Sequence, residues 1–160
     1  MRSDDNTFRA IVKEYERPLY FHIRRLVVSH DDAKDILQDT FIKAFRSLWT
    51  LRKESGLRPW LYRIATNSAL DFLKKRAGLV SLEENFASAI ADDSGSDTIQ
   101  NAEIALHKAL LKLPDKQRLV FSLRYFDEMP YDEMAKITGM SENTLKVNYH
   151  LAKEKIKSEI

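Results

Sequence analysis

Apolar residues recur along this chain with helical spacing and almost never alternate. From Phe8 to Val28 the apolar positions are Phe8, Ile11, Val12, Tyr15, Leu19, Ile23 and Leu26, three or four apart, which predicts one helix with Pro18 as a place to kink. Ser29-His30-Asp31-Asp32 breaks the run, with Asp31 or Asp32 as the expected N-cap. A second helix is predicted to about Leu51, burying Ala33, Ile36, Leu37, Thr40, Phe41, Ala44, Phe45 and Leu48. Lys53-Glu54-Ser55-Gly56 reads as a loop, and Pro59 suits the first turn of a third helix reaching about Lys75. Residues 78–101 lose the periodicity and are rich in Ser, Asp and Gly, as a linker would be, with room for a short helical piece around Glu83–Ile90. Helical spacing returns over Asn101–Leu113, over Pro114–Phe126 and in two further helices broken at Gly139. The expected fold is all-α, in two small helical domains: residues 1–77, then a linker over 78–101, then residues 102–160.

Tyr131–Leu145 has the spacing of a helix-turn-helix. Ala135 is small where two helices approach closely, and Gly139 follows four residues later, where the turn favours a positive φ. Met140 and Leu145 would lock the second helix onto the first. Ser141 is a good N-cap, and Glu142 adds negative charge at the helix start. The outer face of that helix offers Asn143, Lys146, Asn148, His150 and Lys153, side chains able to meet base edges or phosphates in a major groove. A helical hairpin used only for packing is the plainer alternative.

Charge changes the picture by its distribution. The net charge is only +2, yet residues 1–80 hold 16 Lys and Arg against 10 acids, residues 81–105 hold 6 acids and no Lys or Arg, and residues 106–160 hold 10 against 8. Two basic segments thus flank an acidic one, which lowers the cost of approaching phosphates. The chain has no cysteine, so disulfides, thiol catalysis and Cys-ligated zinc are excluded. No run of about 18 apolar residues predicts a membrane span, and Met1–Asn6 lacks the apolar core of a signal peptide, so a cytoplasmic protein without membrane contact of its own is expected. His22, His30, His107 and His150 are scattered, no Gly-rich phosphate loop occurs, and no catalytic, metal-ligating or cofactor-binding constellation is expected.

Two blocks carry the remaining signal. Asp35-Ile36-Leu37-Gln38-Asp39-Thr40-Phe41 sets an acidic, amide-bearing face on an apolar-backed helix, with Asp35, Gln38 and Asp39 close enough to form one patch. Trp60-Leu61-Tyr62-Arg63-Ile64-Ala65-Thr66-Asn67 gathers aromatics, Arg and Asn on a helix that ends in Lys74-Lys75-Arg76.

With Leu113-Pro114-x-x-x-Arg118-x-Val120-Phe121 and Asn143-Thr144-Leu145-Lys146, these blocks stand in the order found in the extracytoplasmic-function group of the sigma-70 family, which the chain resembles over nearly its whole length. The resemblance implies a non-enzymatic specificity subunit of bacterial RNA polymerase. Its partners would be core polymerase, promoter DNA and an anti-sigma factor. Asp35, Gln38, Asp39 and Lys43 would meet the polymerase. Arg58, Arg63, Asn67, Lys74, Lys75 and Arg76 would serve the −10 element, with the loop Leu51–Arg58 holding a flipped base. Ser141, Thr144, Lys146, Val147, Asn148, His150 and Lys153 would serve the −35 element. Trp60 and Tyr62 suit either the core or base stacking, and helical spacing favours the core for Trp60. The acidic segment either threads toward the polymerase interior or simply tethers the domains.

The chain departs from the group's pattern in its last helix. Asn148 and Leu151 stand where many members carry Arg, and Asn143 replaces a frequent Gly. Fewer fixed cations imply weaker phosphate anchoring there. A stand-alone helix-turn-helix regulator and a sigma mimic that sequesters an anti-sigma factor are the alternatives.

Overall fold

The computed structural model describes residues 2–52, 56–76 and 98–160, and the expected helical piece around Glu83–Ile90 lies outside them. The described residues are helical, with no strand among them. Helix α1 (Arg2–Val27) runs unbroken through Pro18. Its row of Leu19, Ile23 and Leu26 is fully buried, each side chain contributing about 1.5–3 kcal/mol by leaving water.

Helix α2 (His30–Arg46) is capped by Ser29, whose side chain accepts from the Asp32 amide at 3.4 Å. The cap is therefore Ser29, not Asp31 or Asp32. Those two residues lie in the first turn, where their charge favours the positive helix end. The helix stops at Ser47, and a 3₁₀ turn (Leu48–Thr50) follows.

Helix α3 (Leu57–Arg76) buries Leu61, Ala65, Ala69 and Leu73 against α1 and α2. Small residues on that row let three helices meet closely. The first lobe is this three-helix unit.

The second lobe contains α4 (Thr98–Leu111), α5 (Asp115–Phe121), α6 (Tyr131–Thr138) and α7 (Glu142–Glu159). Beyond Phe121 the helix widens into a π turn, Ser122–Phe126, where the Asp127 amide reaches back five residues to the Ser122 carbonyl. The widened turn ends in Asp127, and Glu128 follows with φ 51°. Between α6 and α7, Gly139 takes φ 77°, the left-handed conformation that the spacing predicts for a helix-turn-helix. Ser141 caps α7 by accepting from the Thr144 amide at 3.1 Å.

The two lobes pack against each other. One buried cluster joins Leu26, Val27, Leu61, Tyr62 and Ala65 of the first to Leu119, Val120, Leu123, Met129, Met134 and Ile137 of the second. A smaller cluster, with Leu110, Phe121, Ala152 and Ile156, closes the far side of the second lobe.

Candidate functional site

Three faces collect the residues singled out by sequence. On α2, Asp35, Gln38 and Asp39 are all exposed, one turn of helix apart. Lys43 is committed within the chain: its Nζ lies 2.9 Å from Asp39 Oδ2 and donates to Ser68 Oγ on α3 at 3.0 Å. It therefore ties α2 to α3 and sets a cation beside Asp39. Phe45 does not sit in the buried stripe. It is 49% exposed, its ring edge-on to Phe8 at 5.1 Å, while Ala33, Ile36, Thr40 and Ala44 are buried and Leu37, Phe41 and Leu48 pack half-buried against the core. Ile42 is exposed too. Gln38, Ile42, Phe45 and Trp49 follow one another at helical spacing, so the acidic patch continues into apolar surface, of which periodicity assigned Phe45 inward. Trp49 is 84% exposed, just past the helix end, where aromatic burial has no helical row to join.

On α3, successive residues step about 100° around the axis. Arg63, Asn67 and Lys74 fall within about 40° of one another and are all exposed, with Lys75 exposed beside them. Arg63, Asn67 and Lys74 form one stripe along the outside of the first lobe, with the exposed carboxylate of Asp71 about 40° from Asn67 and Lys75 about 100° from Lys74. Arg58 and Arg76 lie about 140° away from Arg63. Each is held by a carboxylate: Arg76 by Asp32 of α2 at 2.6 Å, with its guanidinium also over Phe72, and Arg58 by Glu133 of α6 at 2.5 and 2.6 Å. The six basic and amide residues expected to act together are thus split. Trp60 is half-buried against the core and donates its indole N–H to Thr50 Oγ1 at 3.2 Å, bracing the end of the loop before α3. Tyr62 is buried.

On α7, Leu145, Ala152 and Ile156 face inward. Asn143, Val147, His150 and Glu154 therefore point away from the lobe, and all four are exposed. Val147 is 57% and Leu151 42% exposed, placing apolar groups in the middle of the outward face. Such groups match the thymine methyl in a major groove. Thr144 and Lys146 flank them, and Lys146 Nζ sits 5.6 Å from the Tyr131 ring. Lys153 lies over Tyr149. Asn148 is half-buried, and its side-chain amide donates to the Thr144 carbonyl at 2.9 Å, so it rests at the rim. Ser141 is spent on its own helix cap.

Between the lobes lies a polar cluster that sequence reasoning did not find. Arg25 donates to both Asp127 oxygens at 3.1 Å and to Ser122 Oγ at 2.8 Å, and stacks over Phe126. The Tyr62 hydroxyl reaches Asp127 at 3.5 Å. His22, fully buried, holds Thr66 Oγ1 through Nε2 at 2.9 Å, while its Nδ1 stands 3.8 Å from Asp127 without a hydrogen bond. Burial, and then the Arg25 charge, lower the His22 pKa to about 3. Burial raises Asp127 and Tyr62, and Arg25 only partly offsets the rise at Asp127. Arg118, also fully buried, donates to the Leu26 carbonyl across the seam at 3.2 Å and to Asp115 at 3.1 Å, while its Nε lacks a partner. Apart from the local Arg118–Asp115 pair, these pairings span 44 to 102 residues, beyond any local sequence signal.

Among the described residues no group of His, Asp and Glu is placed to hold a metal ion, and no helix is long and apolar enough to cross a membrane.

Comparison with known proteins divides the chain as the lobes do. Residues 11–78 match sigma-70 region 2, and residues 103–156 match sigma-70 region 4. The RNA polymerase sigma factor SigV of Bacillus subtilis is 31% identical over 144 residues, covering 88% of this chain and 83% of that protein. The ECF RNA polymerase sigma factor SigW of the same organism is 29% identical, covering 99% and 91%. In fold, the chain is similar to the sigma factor RpoE of Bartonella quintana, solved with the anti-sigma factor NepR, at a TM-score of 0.75 and 23% identity, covering 96% of each chain.

Proposed function

The chain belongs to the sigma-70 family, in its extracytoplasmic-function group, as an RNA polymerase sigma factor, and from that premise we propose how its surfaces divide the work. Residues 1–77 bind core polymerase and the −10 element, residues 78–101 connect, and residues 102–160 read the −35 element. Asp35, Gln38 and Asp39, with Ile42 and Phe45 beside them, meet the polymerase, and Lys43 positions Asp39. Arg63, Asn67, Lys74 and Lys75 track the melted strand: the cations hold phosphates, and Asn67 bonds base edges as both donor and acceptor. Val147, His150, Thr144 and Lys146 face the −35 groove. The chain carries no chemistry of its own, works in the cytoplasm, and is held in check by an anti-sigma factor, as the sigma factor solved with NepR is bound by one.

Two outward faces suited to nucleic acid, one in each matched region, support this reading. Run-off transcription with core polymerase on genomic fragments tests it. Discrete start sites that need both proteins are the expected result. A chain that shifts duplex DNA alone and directs no initiation with polymerase would instead be a free-standing regulator. Replacing Gln38 and Asp39 together with Ala should weaken competition for core polymerase against another sigma factor by about tenfold or more while leaving helicity unchanged. Undiminished competition would move the polymerase contact off α2.

A further inference from the structure

The flank of α7 beside its outward face carries cations that rest on tyrosine rings. At about 100° per residue, Tyr149, Lys153 and Lys146 fall within about 60° of one another, between the buried row and His150. Lys153 Nζ lies 5.4 Å from the centre of the Tyr149 ring, and Lys146 Nζ lies 5.6 Å from that of Tyr131. Tyr131 holds a second cation. The Arg124 guanidinium stands 4.6 Å from the same ring, and one of its nitrogens donates to the Met129 carbonyl at 2.8 Å. The first residue of α6 thus gathers cations from two other elements, the π turn and α7. Tyr149 is itself steadied from within the lobe, stacked with the buried Phe121 ring at 5.7 Å.

A ring that holds a cation fixes a long side chain, which would otherwise lose rotamer freedom on meeting a ligand. It also leaves donors over, since a lysine has three N–H groups and a guanidinium five. The place of these cations is that of a phosphate wall. A helix about 10–12 Å across fills a major groove about 12 Å wide, so its outward face meets bases and its flanks meet the two backbones. The first helix of a helix-turn-helix crosses the backbone, and Tyr131 opens that helix. The opposite flank of α7 holds Thr144, Asn148, Leu151 and Lys155, within about 60° of one another, with one cation among four. Two exposed acids bound the braced row, Glu142 one turn before Lys146 and Asp132 beside Tyr131, each in the first turn of its helix.

We propose that Tyr131 and Tyr149 are positioning residues: their rings hold Arg124, Lys146 and Lys153 ready for the phosphates of one strand, so that α7 is anchored along one wall of the groove. This rests on the reading of α7 as the −35 helix given above. Arg124 is then a phosphate ligand supplied by the π turn, outside the two helices of the helix-turn-helix. Base choice stays with the outward face, and the braced row sets affinity.

The full chain is titrated with mixed-sequence duplex DNA over a range of salt concentrations, and the same variants are run with core polymerase on promoters found by run-off transcription. Arg124→Ala, Lys146→Ala and Lys153→Ala should each lower the slope of log affinity against log salt by about 0.9, one phosphate contact apiece. Tyr131→Leu should weaken duplex binding about fivefold, and Tyr131→Phe, which keeps the ring, should bind as the native chain does. The loss should vanish when Tyr131→Leu is added to a chain carrying Arg124→Ala and Lys146→Ala, because the ring then has no cation to hold. The same cycle at Tyr149 uses Lys153→Ala. A tyrosine loss that persists without the cations makes the ring a packing residue and overturns the positioning role. Unaltered slopes in all three cation variants overturn the row itself. With polymerase, the chain lacking all three cations should keep its start sites but initiate only at lower salt. Initiation with unchanged salt tolerance overturns the row and leaves the functional reading standing. Lowered slopes on duplex, in a chain that directs no initiation with polymerase, support the row and overturn the functional reading.

Discussion

His22 is the residue whose environment departs furthest from what its sequence position suggests. A single histidine on a helix is usually a surface or core residue, and nothing near it in sequence announces Thr66 or Asp127. Buried beside Arg25, it is held neutral, with its pKa lowered to about 3. An unfolded chain would protonate it near pH 6.5. Between those values the unfolded state binds the extra proton, so the stability His22 contributes is complete above pH 6.5 and is lost progressively as pH falls toward 3. Burial lowers His107 as well, which acts in the same direction. Asp127, whose pKa is raised, acts oppositely, because there the folded state takes up the proton first. Urea unfolding at pH 7.5 and 5.5 isolates the histidine window. The wild-type chain should lose about 1.4 kcal/mol across it, and His22→Gln should lose clearly less. An equal loss in both would assign the pH dependence elsewhere. The sequence named Asp35, Gln38, Asp39, Arg63, Asn67 and Lys74 as surface groups because helical spacing tells in from out. It could not tell that Arg58 and Arg76 are already paired, since each partner lies on another helix, nor that Lys43, beside Asp39 on its own helix, also reaches Ser68 on α3.

At the scale of elements, local rules worked where backbone geometry is demanded locally. Gly139 and Ser141 mark the turn and the cap because one needs a left-handed φ and the other a side-chain acceptor, and both are visible in the residue type. A Cβ built on Gly139 meets nothing within 4 Å, so Gly139→Ala should cost only the backbone penalty of a left-handed alanine, about 1 kcal/mol. Ser141→Ala should cost about 1 kcal/mol by orphaning the Thr144 amide. Chemical denaturation of each variant measures both costs, and a loss of several kcal/mol at Gly139 would mean that packing, not φ, selects the glycine. Periodicity failed on α2 for a related reason. Phe45 fits the inward spacing, but its ring lies half outside, edge-on to Phe8 of α1. The π turn after Phe121 was equally invisible, because no residue type demands it, although it carries the chain into Asp127 at the seam.

For the whole molecule, two lobes were legible and their docking was not, because the seam is made by residues far apart in sequence that look like ordinary surface or core positions. The docking makes the connecting segment decisive. Twenty-one residues separate Arg76 from Thr98, a contour that reaches about 70 Å when extended. Together with the lobes themselves, that reach suits two sites about 85 Å apart. Deleting residues 84–95 leaves nine residues and about 30 Å. The prediction separates reach from recognition. The shortened chain should keep its α2 face and compete for core polymerase near wild-type strength, yet lose run-off from promoters that depend on both elements, by about a hundredfold, as expected when a tether cannot span two sites. Initiation from a promoter carrying only a strong −10 element should survive. If the shortened chain initiates normally from both kinds of promoter, the segment is not the span between two readers, and the two faces do not act on DNA together. If both kinds are lost while polymerase binding persists, the segment does more than connect, and its six acids over residues 81–105 become the next positions to neutralise.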